Sequence, residues 1–216
     1  MKDFGANIYE TGRNQYSVNT GNLYSGREYH VEGDASSASY FFLAAALLKK
    51  VIRVSGISRQ SKQGDIRLLD ILEELGCKVL AGENWVEVAG TDLAEGNFAF
   101  DLNDMPDMVP TLAILAAFRK GQTLITNVAH LRIKESNRLA VMVTELNRIG
   151  IEAEDLSDGM MVRGGRPAAA SIQTYNDHRI AMSFAIAGLA VPGIEISDRK
   201  CVDKSFPEFW EELKKI

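Results

Sequence analysis

The apolar positions of this chain fall into a pattern that recurs. Three stretches share it: EGDASSASYFFLAAALLKKVIRVSGI (Glu32 to Ile57), DMPDMVPTLAILAAFRKGQTLITNVA (Asp104 to Ala129) and TYNDHRIAMSFAIAGLAVPGIEISD (Thr174 to Asp198). Each runs from an acidic residue through an apolar block rich in small residues into an alternating segment. The copies lie about seventy residues apart, a distance that one supersecondary unit and its connections can fill. FFLAAALL, TLAILAAF and IAMSFAIAGLA are apolar on every side, which predicts helices buried all round. A second helix follows in each copy. DIRLLDILEELG and SNRLAVMVTELNRIG carry apolar residues at helical spacing and close at Gly76 and Gly150, where a C′ residue needs positive φ. The third copy ends in FPEFWEELKKI, with Pro207 near the first helical position. CKVLAGENWVEVAG and IEAEDLSDGMMVRGG read as hairpins turning at Gly82-Glu83-Asn84 and Asp158-Gly159.

The pattern is therefore β-α-β-α-β-β three times, the last copy truncated. It predicts an α/β (α+β) fold: an inverse α/β barrel-like domain with helices inside and sheets outside, the reverse of the usual layering. This domain is assigned to residues 32–216, with repeats at about 32–100, 101–170 and 171–216. Residues 1–31 do not fit the repeat. ANIYETG, YSVNTG and NLYSGREYHV alternate like strands and read as the tail of a preceding N-terminal domain, with Glu32, Gly33 and Asp34 as the hinge. An opening Met joined directly to such a strand suits an expressed fragment of a longer protein.

Composition narrows the partners. A hydrophobic fraction of 46% allows a sizeable core. A formal net charge of −5 argues against a nucleic-acid surface, though a local cluster of basic residues can still bind a small anion. Cys77 and Cys201 stand far apart and lack metal-ligand spacing, so neither a disulfide framework nor a metal site is expected. The N-terminus has no apolar signal core, and the run Tyr40 to Leu48 is too short to span a bilayer. The expectation is a cytoplasmic protein without membrane or nucleic-acid partners.

Candidate chemistry lies just before the helices. Asp107 precedes the second buried helix. Lys134 and Glu135 open the following one, with Arg138 in its first turn. Asn176, Asp177, His178 and Arg179 open the third buried helix, and Lys204 precedes the last. Helix N-termini present free N–H groups and partial positive charge, which favour anions and acidic side chains. Basic residues gathered at several such ends need another reason, and a bound phosphate or carboxylate supplies one. Taken singly, each residue has an ordinary explanation: Arg138 as an i,i+3 partner of Glu135, Asp107 and Asp177 as N-caps, Lys204 as solvated surface. The pattern alone stops at an anion site between helix termini.

EGDASSASYF (Glu32 to Phe41), MPDMVPTLA (Met105 to Ala113), RIKESNRL (Arg132 to Leu139), YNDHRIAM (Tyr175 to Met182) and CVDKSFPEFW (Cys201 to Trp210) together resemble the 5-enolpyruvylshikimate-3-phosphate synthases of the enolpyruvyl transferase family. The likeness runs through almost the whole chain, in order. It implies two similar domains closing like jaws over shikimate 3-phosphate and phosphoenolpyruvate, with no cofactor. This chain would supply one jaw and a last piece of the other, lacking the N-terminal domain that completes the site, and would be inactive alone. By the same resemblance Asp107 and Glu135 are the proton-transfer carboxylates, Asp107 also holding the shikimate hydroxyls. Arg138, Arg179 and Lys204 bind phosphoenolpyruvate, Lys204 meeting the departing phosphate. Lys134 and His130 bind shikimate 3-phosphate, His130 standing where other members carry Asn. Glu135 needs its pKa raised by desolvation for that work, and neighbouring Lys134 opposes the rise. Two other readings stay open: a non-catalytic anion-binding half-protein, and an enolpyruvyl transferase for a UDP-sugar, against which YNDHR and RIKES argue.

Overall fold

A computed structural model of the chain describes residues 1–21 and 23–216. It divides into two compact units, Met1–Glu32 and Gly33–Ile216. In the first, β1 (Ile8–Gly12) and β2 (Gln15–Val18) form an antiparallel hairpin turning through Arg13 and Asn14. Asn14 there takes φ 60, a left-handed conformation that Asn tolerates. Leu23 to Val31 forms no strand, contrary to its alternation, because among the described residues no strand pairs with it. Asn22, the first residue of that expected strand, lies outside the described residues. The Phe4 and Tyr29 rings meet 5.3 Å apart, and Arg27 donates to the Asp3 carbonyl at 2.7 Å.

The second unit is built around three helices: α1 (Ala35–Leu48), α3 (Val109–Ala117) and α5 (His178–Ala190), which pack on one another. Every residue of α3 is buried, as its all-round apolar sequence requires. The amphipathic helices are α2 (Leu68–Glu74) and α4 (Arg138–Arg148), and a short α6 (Phe209–Leu213) closes the chain. Sheets lie outside the helices. β3 (Val51–Ser55), β4 (Lys78–Gly82) and β5 (Trp85–Ala89) make an antiparallel sheet in the order β3-β5-β4, against α1. β6 (Phe98–Asp101), β7 (Gly121–Thr126), β8 (Glu152–Leu156) and β9 (Gly159–Gly164) make a second, in the order β6-β7-β9-β8, against α3 and α4. In it β6 runs parallel to β7 and the other pairs are antiparallel. β10 (Ser171–Ile172) and β11 (Glu195–Ile196) form a two-residue parallel pair beside α5, the truncated third copy. The first copy has no strand before α1 among the described residues.

The hairpin turns are Glu83-Asn84 and Ser157-Asp158. Gly82 and Gly159, expected in the turns, instead end or begin strands. They are glycines because a Cβ on Gly159 would sit 1.9 Å from the Ile125 carbonyl oxygen, and one on Gly82 would meet the Trp85 indole at 2.3 Å. The same constraint marks where sheet meets inner helix. A Cβ on Gly90 would fall 2.0 Å from the Ala45 carbonyl of α1, and one on Gly164 would fall 1.8 Å from the Arg119 carbonyl just after α3. The two copies thus set strand ends against helix ends so closely that backbone touches backbone. Arg119 is 2% exposed and seals this corner, donating to the carbonyls of Ala94 and Gln122 at 3.1 Å each and to Thr123 Oγ1 at 2.8 Å. Among the described residues no helix is long and apolar enough to cross a membrane.

This packing predicts that Gly164→Ala lowers the unfolding free energy by about 1–3 kcal/mol through overpacking. Gly165→Ala, whose Cβ would meet Ile151 at an ordinary 3.6 Å, should change it by less than about 0.5 kcal/mol. Urea unfolding of the two variants measures the difference.

Candidate anion-binding active site

The N-terminal ends of α1, α3, α4 and α5 converge. Ser39, in the second turn of α1, and Thr111, in the first turn of α3, are 3.1 Å apart through their hydroxyls. Asp107 lies in a 3-10 turn (Pro106–Met108) that runs straight into α3. Arg138 is the first residue of α4, and Arg179 is the second of α5. Lys204 ends a 3-10 turn (Lys200–Lys204) that leads toward α6. Lys134 and Glu135 precede α4 instead of opening it, because Asn137 caps that helix by accepting from Ala140 N–H at 3.3 Å.

One guanidinium organises the cluster. Arg138, with its side chain 1% exposed, reaches three carboxylates: Nε donates to Asp177 at 2.9 Å, Nη1 to Asp107 at 3.0 Å and Nη2 to Glu135 at 2.8 Å. Asp107 bridges onward, its second oxygen accepting from Arg179 Nη2 at 2.9 Å. Glu135 likewise bridges, its other oxygen accepting from Lys204 Nζ at 3.0 Å. Asp177 is fully buried, caps α5 by accepting from Arg179 N–H at 3.0 Å, and accepts from Ser136 Oγ at 3.0 Å. Arg138, Arg179, Lys204, Asp107 and Glu135 therefore form one connected charge network. The local pairing of Arg138 with Glu135 and the cap at Asp177 are both present, as parts of that network; Asp107 makes no capping bond.

The electrostatics follow from this wiring. Burial pushes the Glu135 carboxyl up, but hydrogen bonds from Lys204 and the backbone, with the charges of Arg138 and Lys204, outweigh it and bring the pKa down to about 2. The groups that chiefly oppose a rise are thus Lys204 and Arg138. Burial works against the Arg179 charge, yet Tyr40, Asp107 and Asp65 hold its pKa above the usual value. Arg179 remains a cation. Burial lowers the His178 pKa and the Arg179 charge lowers it further, so the ring is neutral near pH 7. Burial also raises the Cys201 thiol, which donates to the Asp198 carbonyl at 3.2 Å and is no thiolate nucleophile.

His130 and Lys134 stand apart from the network. Both are exposed on the segment between β7 and α4, and neither makes a side-chain hydrogen bond or ion pair among the described residues. Several participants were not singled out from sequence. Ser36, in the first turn of α1, lies 3.5 Å from Arg179 Nη2 and bonds to Asp65. Burial pushes the Asp65 carboxyl up, against the pull of Ser36. Tyr40, on α1, is buried, and burial pushes its phenol up to about 12 although the Arg179 charge opposes this. Its hydroxyl has no hydrogen-bond partner among the described residues. The legible signal was positional: GDASS and QGDI place Ser36 and Asp65 at the first copy's helix starts, as Asp107 and Asp177 are placed in the others. Among the described residues no group of three or more His, Cys, Asp or Glu gathers as a metal site would need.

Such a network, rich in guanidinium and ammonium groups at helix N-termini, can hold an anion by exchanging internal carboxylates for external ones. Its carboxylates can take or give protons once released. Comparisons agree in kind. The chain is 44% identical over its full length to 3-phosphoshikimate 1-carboxyvinyltransferase of Trichormus variabilis, covering 50% of it. It is 45% identical to the enzyme of that name from Syntrophobacter fumaroxidans, covering 51%. A solved structure of EPSP synthase from Acinetobacter baumannii superposes with a TM-score of 0.85 at 30% identity, over 99% of this chain and 52% of that one. The chain thus spans about half the length of the relatives it matches. The family model of EPSP synthase (3-phosphoshikimate 1-carboxyvinyltransferase) matches residues 1–213, and the chain belongs to that family.

Proposed function

We propose that this chain forms one wall of an active site that transfers the enolpyruvyl group of phosphoenolpyruvate to the 5-hydroxyl of shikimate 3-phosphate and releases phosphate. An N-terminal domain like those of its longer relatives would supply the other wall, and the segment around Glu32–Asp34 the hinge. The observation that carries the reading is the convergence of Arg138, Arg179 and Lys204 on two shared carboxylates, Asp107 and Glu135, at the N-termini of inner helices. Family membership supplies the substrates.

The network suggests how binding and chemistry are coupled. Phosphoenolpyruvate brings a carboxylate and a phosphate. Arg138 and Arg179 offer planar forks for such groups, and Lys204 a point charge for the phosphate. As they turn to the ligand, Asp107 loses its guanidinium partners and becomes free to accept the proton of the 5-hydroxyl. Glu135 loses the cations that hold its pKa near 2, so the desolvation already acting on it dominates and it can carry a proton. Glu135 then protonates the methylene carbon of phosphoenolpyruvate while the 5-oxygen bonds to its central carbon, giving a tetrahedral phosphate ketal. In the second step the new methyl group returns a proton to Glu135, the double bond re-forms and the carbon–oxygen bond to phosphate breaks, the proton that Asp107 took from the 5-hydroxyl passing to the leaving phosphate. Lys204 neutralises the departing dianion. Lys134 and His130, both exposed on the segment before α4, are assigned the phosphate and a hydroxyl of the shikimate ring by the family resemblance alone.

Carbon-13 titration of the Glu135 side chain tests the coupling without catalysis. The wild-type carboxyl should titrate at about 2, and Lys204→Met should raise it by at least about one unit. An unchanged midpoint would show that Lys204 does not hold it down. Since the folded value lies below the ordinary carboxylate value, this carboxylate contributes stability above pH ~4.5 that is lost as pH falls toward 2. The stability advantage of the natural protein over Glu135→Gln should accordingly be full above pH ~4.5 and shrink as pH falls toward 2, as urea unfolding across that window measures.

In a protein carrying both walls, Asp107→Ala and Glu135→Ala should each lower kcat by about 10²–10⁴-fold. Steady-state phosphate release measures this, and full turnover in either variant removes that residue from proton transfer. Lys204→Ala should chiefly raise KM for phosphoenolpyruvate; an unaltered KM contradicts its phosphate contact.

A further inference from the structure

The segment entering α5 is held in an unfavourable shape. Thr174 accepts from Asp177 N–H at 2.9 Å across Tyr175 and Asn176, whose φ angles are 54 and 57. Two successive left-handed residues closed by that bond are the mark of a type I′ turn, a conformation suited to Asn and Gly. Tyrosine at its first central position is strained, because its Cβ crowds the following carbonyl oxygen there. The turn ends on Asp177, which caps α5, and leads into Arg179.

Something must hold Tyr175 there, and α4 carries the group that does. Glu145 is 0% exposed and accepts four hydrogen bonds: from Gln173 N–H at 3.1 Å, the Tyr175 hydroxyl at 3.1 Å, and Arg148 Nε and Nη2 at 2.8 and 3.2 Å. Its negative charge is compensated by Arg148, whose side chain remains 42% exposed. Seven residues separate Glu145 from Arg138, two helical turns on one face and about 10 Å along the axis. The five-residue segment from Gln173 to Asp177 spans that same interval. It is tied at its start to Glu145 and at its end to Arg138. α4 thus acts as a template, one end grasping the turn and the other receiving the carboxylate the turn presents.

We propose that Glu145 is a positioning residue of the anion site: it holds the strained Tyr175-Asn176 turn so that the Asp177 carboxylate meets Arg138 and Arg179 projects into the cluster. It touches no reacting atom. Without it Tyr175 relaxes toward negative φ, Asp177 shifts, and the buried Arg138 guanidinium loses the acceptor that fixes its plane. Backbone strain maintained by surrounding contacts is a recurrent property of functional sites, and here the contact that maintains it can be named.

Nitrogen-15 NMR of the intact chain reads this through the Arg138 Nε–H, whose exchange with solvent is slowed by burial against Asp177. In Glu145→Gln one amide must turn donor toward donor, and the Arg138 Nε–H should exchange at least about tenfold faster through local opening. Leu146→Ala, which empties a buried apolar site one residue away on the same helix, should lower stability without selectively accelerating that exchange. Should Glu145→Gln fail to fold, Tyr175→Phe removes only the hydroxyl bond and should accelerate exchange by about threefold. The inference is overturned if the signal is unmoved in whichever of the two variants folds, or if Leu146→Ala accelerates it equally. A second arm rests on the proposed function: phosphoenolpyruvate, titrated into the same samples, should bind Glu145→Gln at least about fivefold more weakly than the natural chain. Failure of the natural chain to bind would count against the proposed function, while the exchange of the Arg138 Nε–H still decides the role of Glu145.

Discussion

A guanidinium withdrawn from water holds this structure's chemistry together. Removing one partner of a buried ion pair typically costs about 3–5 kcal/mol, because the other charge is left without solvent or counterion. Arg138 avoids that cost only through simultaneous contact with Asp177, Asp107 and Glu135. Those three residues come from the starts of α5 and α3 and from the loop before α4. Satisfying one side chain therefore fixes the relative placement of three helix ends. The remaining site charges follow: Arg179 from Asp107, Lys204 from Glu135.

The same wiring explains why basic residues tolerate helix N-termini, where the helix dipole disfavours them. The carboxylates that offset Arg138 and Arg179 are shared, each of Asp107 and Glu135 serving two cations. A shared carboxylate is a weak point by design of its geometry: an incoming anion with two charged groups can replace both contacts at once. Under the proposed function, substrate capture and the release of the two carboxylates are then one event. The low pKa of Glu135 follows from its contacts with Lys204 and Arg138.

Much of this architecture was legible in the residue pattern, for a physical reason. Helices apolar on every face have no place but the interior, so FFLAAALL, TLAILAAF and IAMSFAIAGLA announced α1, α3 and α5 and the inverted layering. Less legible were features decided by contacts across the chain. Gly82 and Gly159 look like turn residues, yet they are glycines because of Trp85 and the Ile125 carbonyl. Leu23 to Val31 alternates as a strand does, but alternation cannot supply a pairing partner. At the site, Arg138, Arg179, Lys204, Asp107 and Glu135 were found by position and motif, and they meet. Tyr40 was missed because its contribution comes from burial beside Arg179, which sequence does not encode locally. Glu145 was missed because a carboxylate inside an amphipathic helix normally faces solvent.

In the free chain the internal carboxylates occupy the cationic groups that the proposed function assigns to a substrate anion. A crystal structure of the chain with phosphoenolpyruvate bound examines this most directly. The ligand's carboxylate and phosphate should lie against Arg138, Arg179 and Lys204, with Asp107 and Glu135 released from at least one of their present contacts. A ligand seated elsewhere, or both carboxylates still bridging their two cations beside it, would contradict it.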